Sequence, residues 1–171
     1  MSFQTRSQED PLTSFLNRIQ FDVEIKKAFS THDKGSLFII DLDGFKQVND
    51  TFGHLMGDKV LKNTAERIRL SFRKDDILCR YGGDEFIVYT PKLTSREIIE
   101  QRMQTLQGLL RHPHTLDGVF SAVTASIGIA QFPVDGENLT TLFANADTAL
   151  YEAKHRGKDQ YVFFDELTYS S

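Results

Sequence analysis

Two short acidic runs at the ends of apolar stretches carry the chemistry of this sequence. In Arg80-Tyr81-Gly82-Gly83-Asp84-Glu85-Phe86, flanked by Ile77-Leu78 and Ile87-Val88-Tyr89, two carboxylates sit on a glycine turn between apolar strands. In Phe38-Ile39-Ile40-Asp41-Leu42-Asp43-Gly44-Phe45-Lys46, another apolar strand ends in an acidic pair, followed by a lysine. A hard cation such as Mg²⁺ takes oxygen ligands in near-octahedral geometry and usually binds through one or two carboxylates plus substrate phosphates. Asp41 and Asp84 meet that requirement. Such an ion polarises a phosphoryl oxygen, lowers the pKa of a hydroxyl and orients an in-line displacement, so the pattern suits phosphoryl or nucleotidyl transfer. Gly82 and Gly83 fit a backbone that turns with φ > 0 and approaches a ligand with no Cβ in the way. Taken alone, the turn is equally the signature of a hairpin whose acids face water. The second acidic strand end tells against that reading.

The elements that must position these acids follow from periodicity. After Pro11-Leu12-Thr13, a helix is expected over about Phe15–Phe29, with Leu16, Ile19 and Val23 on one face and His32-Asp33-Lys34-Gly35 closing it. A strand follows over Leu37–Leu42. Leu61, Thr64, Ala65, Ile68 and Phe72 predict a helix over Gly57–Phe72, with Gly53–Gly57 as its approach. Two strands then form the Gly82-Gly83 hairpin. Thr94-Ser95-Arg96-Glu97 has capping-box spacing, and Ile99, Met103, Leu106 and Leu110 continue a helix that His112-Pro113-His114 ends. Val119–Ala130 reads as a fourth strand, closed by the Pro133–Gly136 turn. A last helix over Leu139–His155 buries Leu142, Phe143, Ala146, Ala149, Leu150 and Ala153 and stops at Gly157, and Gln160–Phe164 adds an edge strand. The order β-α-β-β-α-β after a leading helix, with an appended helix and strand, is that of an α+β ferredoxin-like fold. In it the first strand and the hairpin lie side by side, bringing Asp41 and Asp84 to one edge.

At 171 residues the length is that of a single domain with a real core. A net charge of −4 gives no broad basic footprint, so a polyphosphate ligand must be held by a few lysines and a metal, as a nucleotide rather than a nucleic acid polymer. The single cysteine, Cys79, cannot close an internal disulfide and reads as a small core residue. No apolar run reaches the roughly 18 residues of a spanning helix, and the start lacks a signal peptide's apolar region. The chain is therefore expected to be cytoplasmic. Residues 1–9 read as a linker or frayed helix end, with the domain over 10–171 as a piece of a longer parent, either free or membrane-attached.

The motifs resemble one family closely, the GGDEF domains, whose best-known activity is diguanylate cyclase, making cyclic di-GMP from two GTP. The resemblance spans about Asp10 to Gln160. It rests on Asp10-Pro11-Leu12-Thr13 with Asn17-Arg18, Asp41 through Asp50, Phe52-Gly53-His54 with Gly57-Asp58, Arg80 through Phe86, Ser126 through Ala130, and Ala146 through Lys154. It implies a palm-type nucleotide cyclase fold. Position by position, it implies Asp41 and Asp84 as metal carboxylates, the Leu42 carbonyl as a backbone ligand, and Mg²⁺, or alternatively Mn²⁺, as the ion. Glu85 is the second signature acid, which either orients or deprotonates the attacking 3′-hydroxyl or holds a second ion. Asn49 and Asp58 match the guanine-reading pair, since a carboxylate accepts from N1–H and the 2-amino group that adenine lacks. Phe45, Lys46, Gly82, Gly83, Lys154 and Lys158 match substrate contacts, although the family often has arginine where Lys158 stands.

Arg73 and Asp76 form an Arg-x-x-Asp pattern that matches the family's product-inhibition site, with cyclic di-GMP as the feedback ligand; by composition alone, Arg73-Lys74-Asp75-Asp76 is a solvated loop. Outside the family, Lys154 and Lys158, an i,i+4 step apart, read as solvated partners of a helix end. His54 reads as a local hydrogen bonder, and His112 and His114 as loop residues. Where the family often has Leu-Thr-Gly-Leu-Pro-Asn-Arg, this sequence has Leu12-Thr13-Ser14-Phe15-Leu16-Asn17-Arg18, losing a glycine and a proline beside the nucleotide site. The resemblance further implies a homodimer, each subunit holding one GTP, and an attached sensor or output domain. The rival reading is a GTP-sensing or cyclic di-GMP-binding regulatory module without turnover.

Overall fold

The structure, a computed structural model, describes residues 8–168. Residues 1–7 of the expected linker lie outside the described residues. Helix α1 (Arg18–Thr31) precedes β1 (Gly35–Asp43), followed by α2 (Phe45–Phe52), α3 (His54–Ser71), β2 (Ile77–Arg80) and β3 (Glu85–Pro91). Next come α4 (Arg96–Leu110), β4 (His114–Leu116), β5 (Val119–Ser121), β6 (Thr124–Phe132), α5 (Leu139–His155), β7 (Gln160–Phe163) and α6 (Phe164–Thr168). The central sheet has the order β2-β3-β1-β6-β7; β1 runs antiparallel to both neighbours, and β7 parallels β6. This is the expected βαββαβ arrangement with its leading helix and appended helix and strand.

Strand β1 is buried on both faces, and successive side chains point to opposite faces of a strand. Phe38, Ile40 and Leu42 join the core shared with α3 and α4, while Leu37 and Ile39 join that of α1 and α5. Asp41 and Asp43 therefore share the α1/α5 face. On β6, Gly128 allows α5 to press directly on the sheet, because a Cβ there would collide with the Ala146 carbonyl and the Leu150 backbone. Cys79 is fully buried, and burial pushes its thiol up to about 12, in keeping with a core role.

Several boundaries differ from expectation. Helix α1 starts at Arg18, because the Asn17 side chain caps the Gln20 N–H, while Leu16 pairs in an extended bridge beside Cys79. Its buried face is Phe21, Ile25 and Ala28, whereas Ile19 is 77 % exposed. Ile19 and Phe21 lie about 200° apart on a helix, so two apolar stripes compete and spacing alone does not choose between them. The expected Gly53–Gly57 approach is itself helical, with Gly53, at φ 89, separating α2 from α3. The cap of α4 is Ser95, whose hydroxyl accepts from the Ile98 N–H. The expected long fourth strand is broken in two: its start, Val119–Ser121, is β5, which pairs with β4 in a separate hairpin because Asp117 (φ 51) and Gly118 (φ 78) make the left-handed turn that favours a two-residue connection, and β6 begins only at Thr124.

His114 belongs to that hairpin rather than to a loop, and it is 1 % exposed against α3. Its Nδ1 lies 3.0 Å from the Asn63 amide, and its Nε2 3.2 Å from Arg67 Nη1. Burial first, then the charges of Arg67 and Lys59, push its pKa down to about 4. The unfolded chain takes up this proton near pH 6.5, before the folded one does. The stability held above pH 6.5 is thus lost as pH falls toward 4, by roughly 2–3 kcal/mol. We expect urea unfolding across pH 4–7 to show this loss in the wild type and to show a flatter profile in His114→Gln; equal profiles would exclude His114 as its source.

Candidate active site

The acids converge because of strand register. Asp41 faces Glu85 across the β1–β3 pair, and the Leu42 N–H donates to the Asp84 carbonyl at 3.1 Å. Glu85 thus shares Asp41's face of the sheet, which α5 covers. Lys154, in the last turn of α5, reaches down to the Asp41 carboxylate. Asp41 is 9 % exposed. Burial raises its pKa, the Lys154 hydrogen bond lowers it, and the charges of Asp84 and Asp43 raise it again. Glu85 is pushed up to about 7 by burial and then by Asp41, Asp147 and Asp84. Burial alone would lower Lys154, but its hydrogen bond to Asp41 and the charges of Asp41, Asp43 and Asp84 hold it above its ordinary value.

This crowding of negative charge against one lysine is what a bound cation would relieve. Two carboxylates and a backbone carbonyl are hard oxygen donors, which fit Mg²⁺. Among the described residues no three His, Cys, Asp or Glu side chains form a ready-made cage, so an ion here would complete its shell with phosphate or water.

The signature turn is built differently from expectation. Neither Gly82 nor Gly83 lies at φ > 0, and a Cβ on either would meet nothing within 4 Å. The turn spans more than a two-residue hairpin: the N–H groups of Tyr81 and Gly82 both donate to the Glu85 carbonyl, at 2.8 and 3.3 Å. Its shape is held from outside. Arg80 donates to the Gly83 carbonyl through Nε and Nη2, at 3.3 and 2.9 Å, and pairs with Asp10 at 3.1 Å. Asp10 in turn accepts from the Thr13 N–H and hydroxyl, at 2.9 and 2.8 Å. Arg18 donates to the Tyr81 hydroxyl at 3.0 Å and stacks 4.2 Å over its ring.

The two departures in the Leu12–Arg18 loop now have a physical account. Ser14 keeps a left-handed conformation, φ 66, that suits glycine. Leu16 donates its N–H to the Leu78 carbonyl at 3.0 Å, a bond that proline could not make. The loop is therefore tied to β2 beside the signature turn.

Asn49, on α2, has a buried Oδ1 with no hydrogen-bond partner. It packs against Gly57 of α3, where a Cβ would collide with the Asn49 amide. Such an orphaned acceptor is suited to a donor supplied by a ligand. Asp58, the next residue on α3, is exposed, as is Lys46 at the start of α2, while half-buried Phe45 packs on the core. Lys158 is not on the same helix as Lys154: α5 ends at His155, and Lys158 sits in a following turn at φ 65.

Arg73 and Asp76 lie apart from these residues, between α3 and β2. The Asp76 carboxylate accepts from the Arg73 N–H at 2.7 Å and faces Arg102, on α4, at 3.7 Å. Arg102, which carried no motif, has a buried Nη1 that faces Asp76 as an ion pair but makes no hydrogen bond, and it lines the same cleft of about 390 Å³. Asp43, Arg80 and Asp10 are further residues of the site whose long-range contacts no local spacing signals.

A family model described as "Diguanylate cyclase, GGDEF domain" matches residues 7–160. The bifunctional diguanylate cyclase/cyclic di-GMP phosphodiesterase MucR of Pseudomonas aeruginosa is 37 % identical over 162 residues, covering 91 % of this chain and 23 % of that protein. The solved GGDEF domain of TpbB (YfiN) from Pseudomonas aeruginosa is similar at a TM-score of 0.87 and 31 % identity, over 94 % of this chain and 98 % of that one. The GGDEF domain of DgcB from Caulobacter crescentus, solved with c-di-GMP, is similar at 0.86 and 27 %, over 93 % and 96 %. The chain spans less than a quarter of the length of the curated relatives first matched.

Relief of the left-handed strain at Ser14, less the added freedom of the unfolded chain, should make Ser14→Gly more stable by up to about 1 kcal/mol in urea unfolding. An unchanged or lower midpoint would contradict strain at this position.

Proposed function

Because the chain belongs to the GGDEF domain family, we propose that it is a diguanylate cyclase domain, condensing two GTP into cyclic di-GMP. The observation that carries this reading is the convergence of Asp41, Asp84, Glu85 and Lys154 at one sheet edge. In each half-reaction a 3′-oxygen bonds to the α-phosphorus of the other nucleotide, the bond from that phosphorus to the bridging oxygen breaks, and pyrophosphate leaves. Asp41, Asp84 and the Leu42 carbonyl would hold Mg²⁺ or Mn²⁺. When bound, the ion supplies polarisation of a phosphoryl oxygen and neutralisation of developing charge.

The chain's own residues do the rest. Glu85, opposite Asp41, is placed to orient or deprotonate the 3′-hydroxyl or to hold a second ion. Lys154, drawn to Asp41 in this structure, is within the site to exchange that carboxylate for phosphate oxygens, with Lys46 and Lys158 as further cationic contacts. Asn49, with its unpaired Oδ1, and Asp58 read the guanine edge. One such site holds one nucleotide, so two subunits facing each other supply the proximity that makes the attack effectively intramolecular. Arg73, Asp76 and Arg102 form the feedback site for cyclic di-GMP, with Asp76 exchanging its internal partners for the ligand. We place the domain in the cytoplasm as a signalling part of a longer protein; among the described residues no helix is long and apolar enough to cross a membrane.

With GTP and Mg²⁺, product identified by mass should be cyclic di-GMP, formed at a rate rising more steeply than protein concentration. Asp84→Ala should lose activity by about a hundredfold or more, the several kcal/mol that a metal contributes. GTP binding without product at any concentration would replace this reading with a regulatory, GTP-sensing one. In addition, Gly57→Ala, by displacing Asn49, should weaken GTP binding about tenfold while leaving ATP binding unchanged. Equal loss for both nucleotides would remove Asn49 from guanine recognition.

A further inference from the structure

Asp43 has no place in the ligand sets above, yet it gathers three hydrogen bonds from two distant segments. Thr124 Oγ1 and Ser126 Oγ, on β6, donate to its Oδ2 and Oδ1, each at 2.8 Å. The Asp159 backbone N–H, in the turn after α5, donates to Oδ2 at 3.1 Å. All of this occurs on the same face of β1 as Asp41, one pleat further along. The turn it holds contains two consecutive non-glycine residues at positive φ, Lys158 (65) and Asp159 (52). Such a conformation persists only where surrounding contacts over-determine it. A second tether comes from Arg111 at the end of α4, which donates to the Asp159 carboxylate at 2.9 Å.

We propose that Asp43 is a positioning residue that clamps β6 and the Lys158 turn to the end of β1. The clamp sets Lys158 at a fixed place relative to Asp41 and the Leu42 carbonyl, so that lysine and metal ligands address one nucleotide. This rests on the nucleotide-binding reading above. With three donors on its two oxygens, Asp43 holds these segments through hydrogen bonding, a role separate from the charge it presents to Asp41 and Lys154. An asparagine can reproduce the arrangement: its oxygen accepts from Thr124 and the Asp159 N–H, and its amide donates to the Ser126 hydroxyl, which both donates and accepts. Alanine leaves all three donors without an acceptor.

The test compares Asp43→Ala with Asp43→Asn, by amide hydrogen exchange at Asp159 in the nucleotide-free protein and by Mg²⁺-dependent GTP affinity and turnover. In Asp43→Ala we expect faster exchange at Asp159 and a loss of about 10–100-fold in GTP affinity or kcat/KM, the range seen when an outer partner of a metal site is removed. Asp43→Asn should recover most of both. Wild-type exchange and affinity in Asp43→Ala would overturn the proposal, and so would an Asp43→Asn as impaired as Asp43→Ala, since charge would then be what matters. If Asp43→Ala does not fold, the Thr124→Val/Ser126→Ala double variant removes two of the donors and should shift exchange and affinity in the same direction; no shift would again overturn the clamp. If the wild type makes no cyclic di-GMP, the cyclase reading fails, while exchange and GTP affinity still decide the clamp.

Discussion

The pleat of β1 decides to which face Asp41 and Asp43 point and, through the ladder with β3, which face Glu85 joins. Because side chains alternate along the strand, Leu42 enters the core with α3 and α4, while Asp41 and Asp43 emerge on the other face. Glu85 faces Asp41 across the ladder and so joins them. A slip of one residue in this register would bury the carboxylates among leucines and phenylalanines and turn the core residues outward. The apolar run from Leu37 to Ile40, buried between two helical layers, therefore fixes the chemistry as well as the core. The bare backbone at Gly128 adds to this, since a Cβ there would push α5 off β6, and the last turn of α5 delivers Lys154 to Asp41.

Two aspartates two residues apart on one strand have thereby become different groups. Asp43 accepts three hydrogen bonds from β6 and the turn after α5, whereas Asp41 faces Lys154 and the charge of Asp84, opposite Glu85 on β3. The crowding of carboxylates around Asp41 exceeds what the single Lys154 charge offsets, and it supports the proposal of a cation site at this edge. Arg80 and Asp10 serve the opposite end of the pair, holding the Gly83 carbonyl so that Asp84 lies beside the Leu42 backbone.

What could be read from the sequence, and what could not, divides along physical lines. Helices α4 and α5 were legible because each carries one apolar stripe; Ile99, Met103, Leu106 and Leu110 are all buried as their spacing requires. The acids at strand ends were legible because type and position coincide. In helix α1 the spacing favours the wrong face, since Ile19 and Val23 form a second stripe nearly opposite the buried Phe21 and Ile25. The Asp117-Gly118 turn was a local signal that the alternation from Val119 onward obscured. Contacts such as Arg80 with Asp10 or Asp43 with Ser126 join residues that only the folded sheet brings together, and no local pattern encodes them.

If the two acidic strand ends hold one cation together with a guanine nucleotide, anomalous scattering from crystals grown with Mn²⁺ and a non-hydrolysable GTP analogue will locate it. We expect a Mn²⁺ peak ligated by Asp41, Asp84 and the analogue's phosphates, with Lys154 transferred from Asp41 to a phosphate oxygen. A bound analogue with no peak between these acids, and with Lys154 still on Asp41, would contradict a shared cation site.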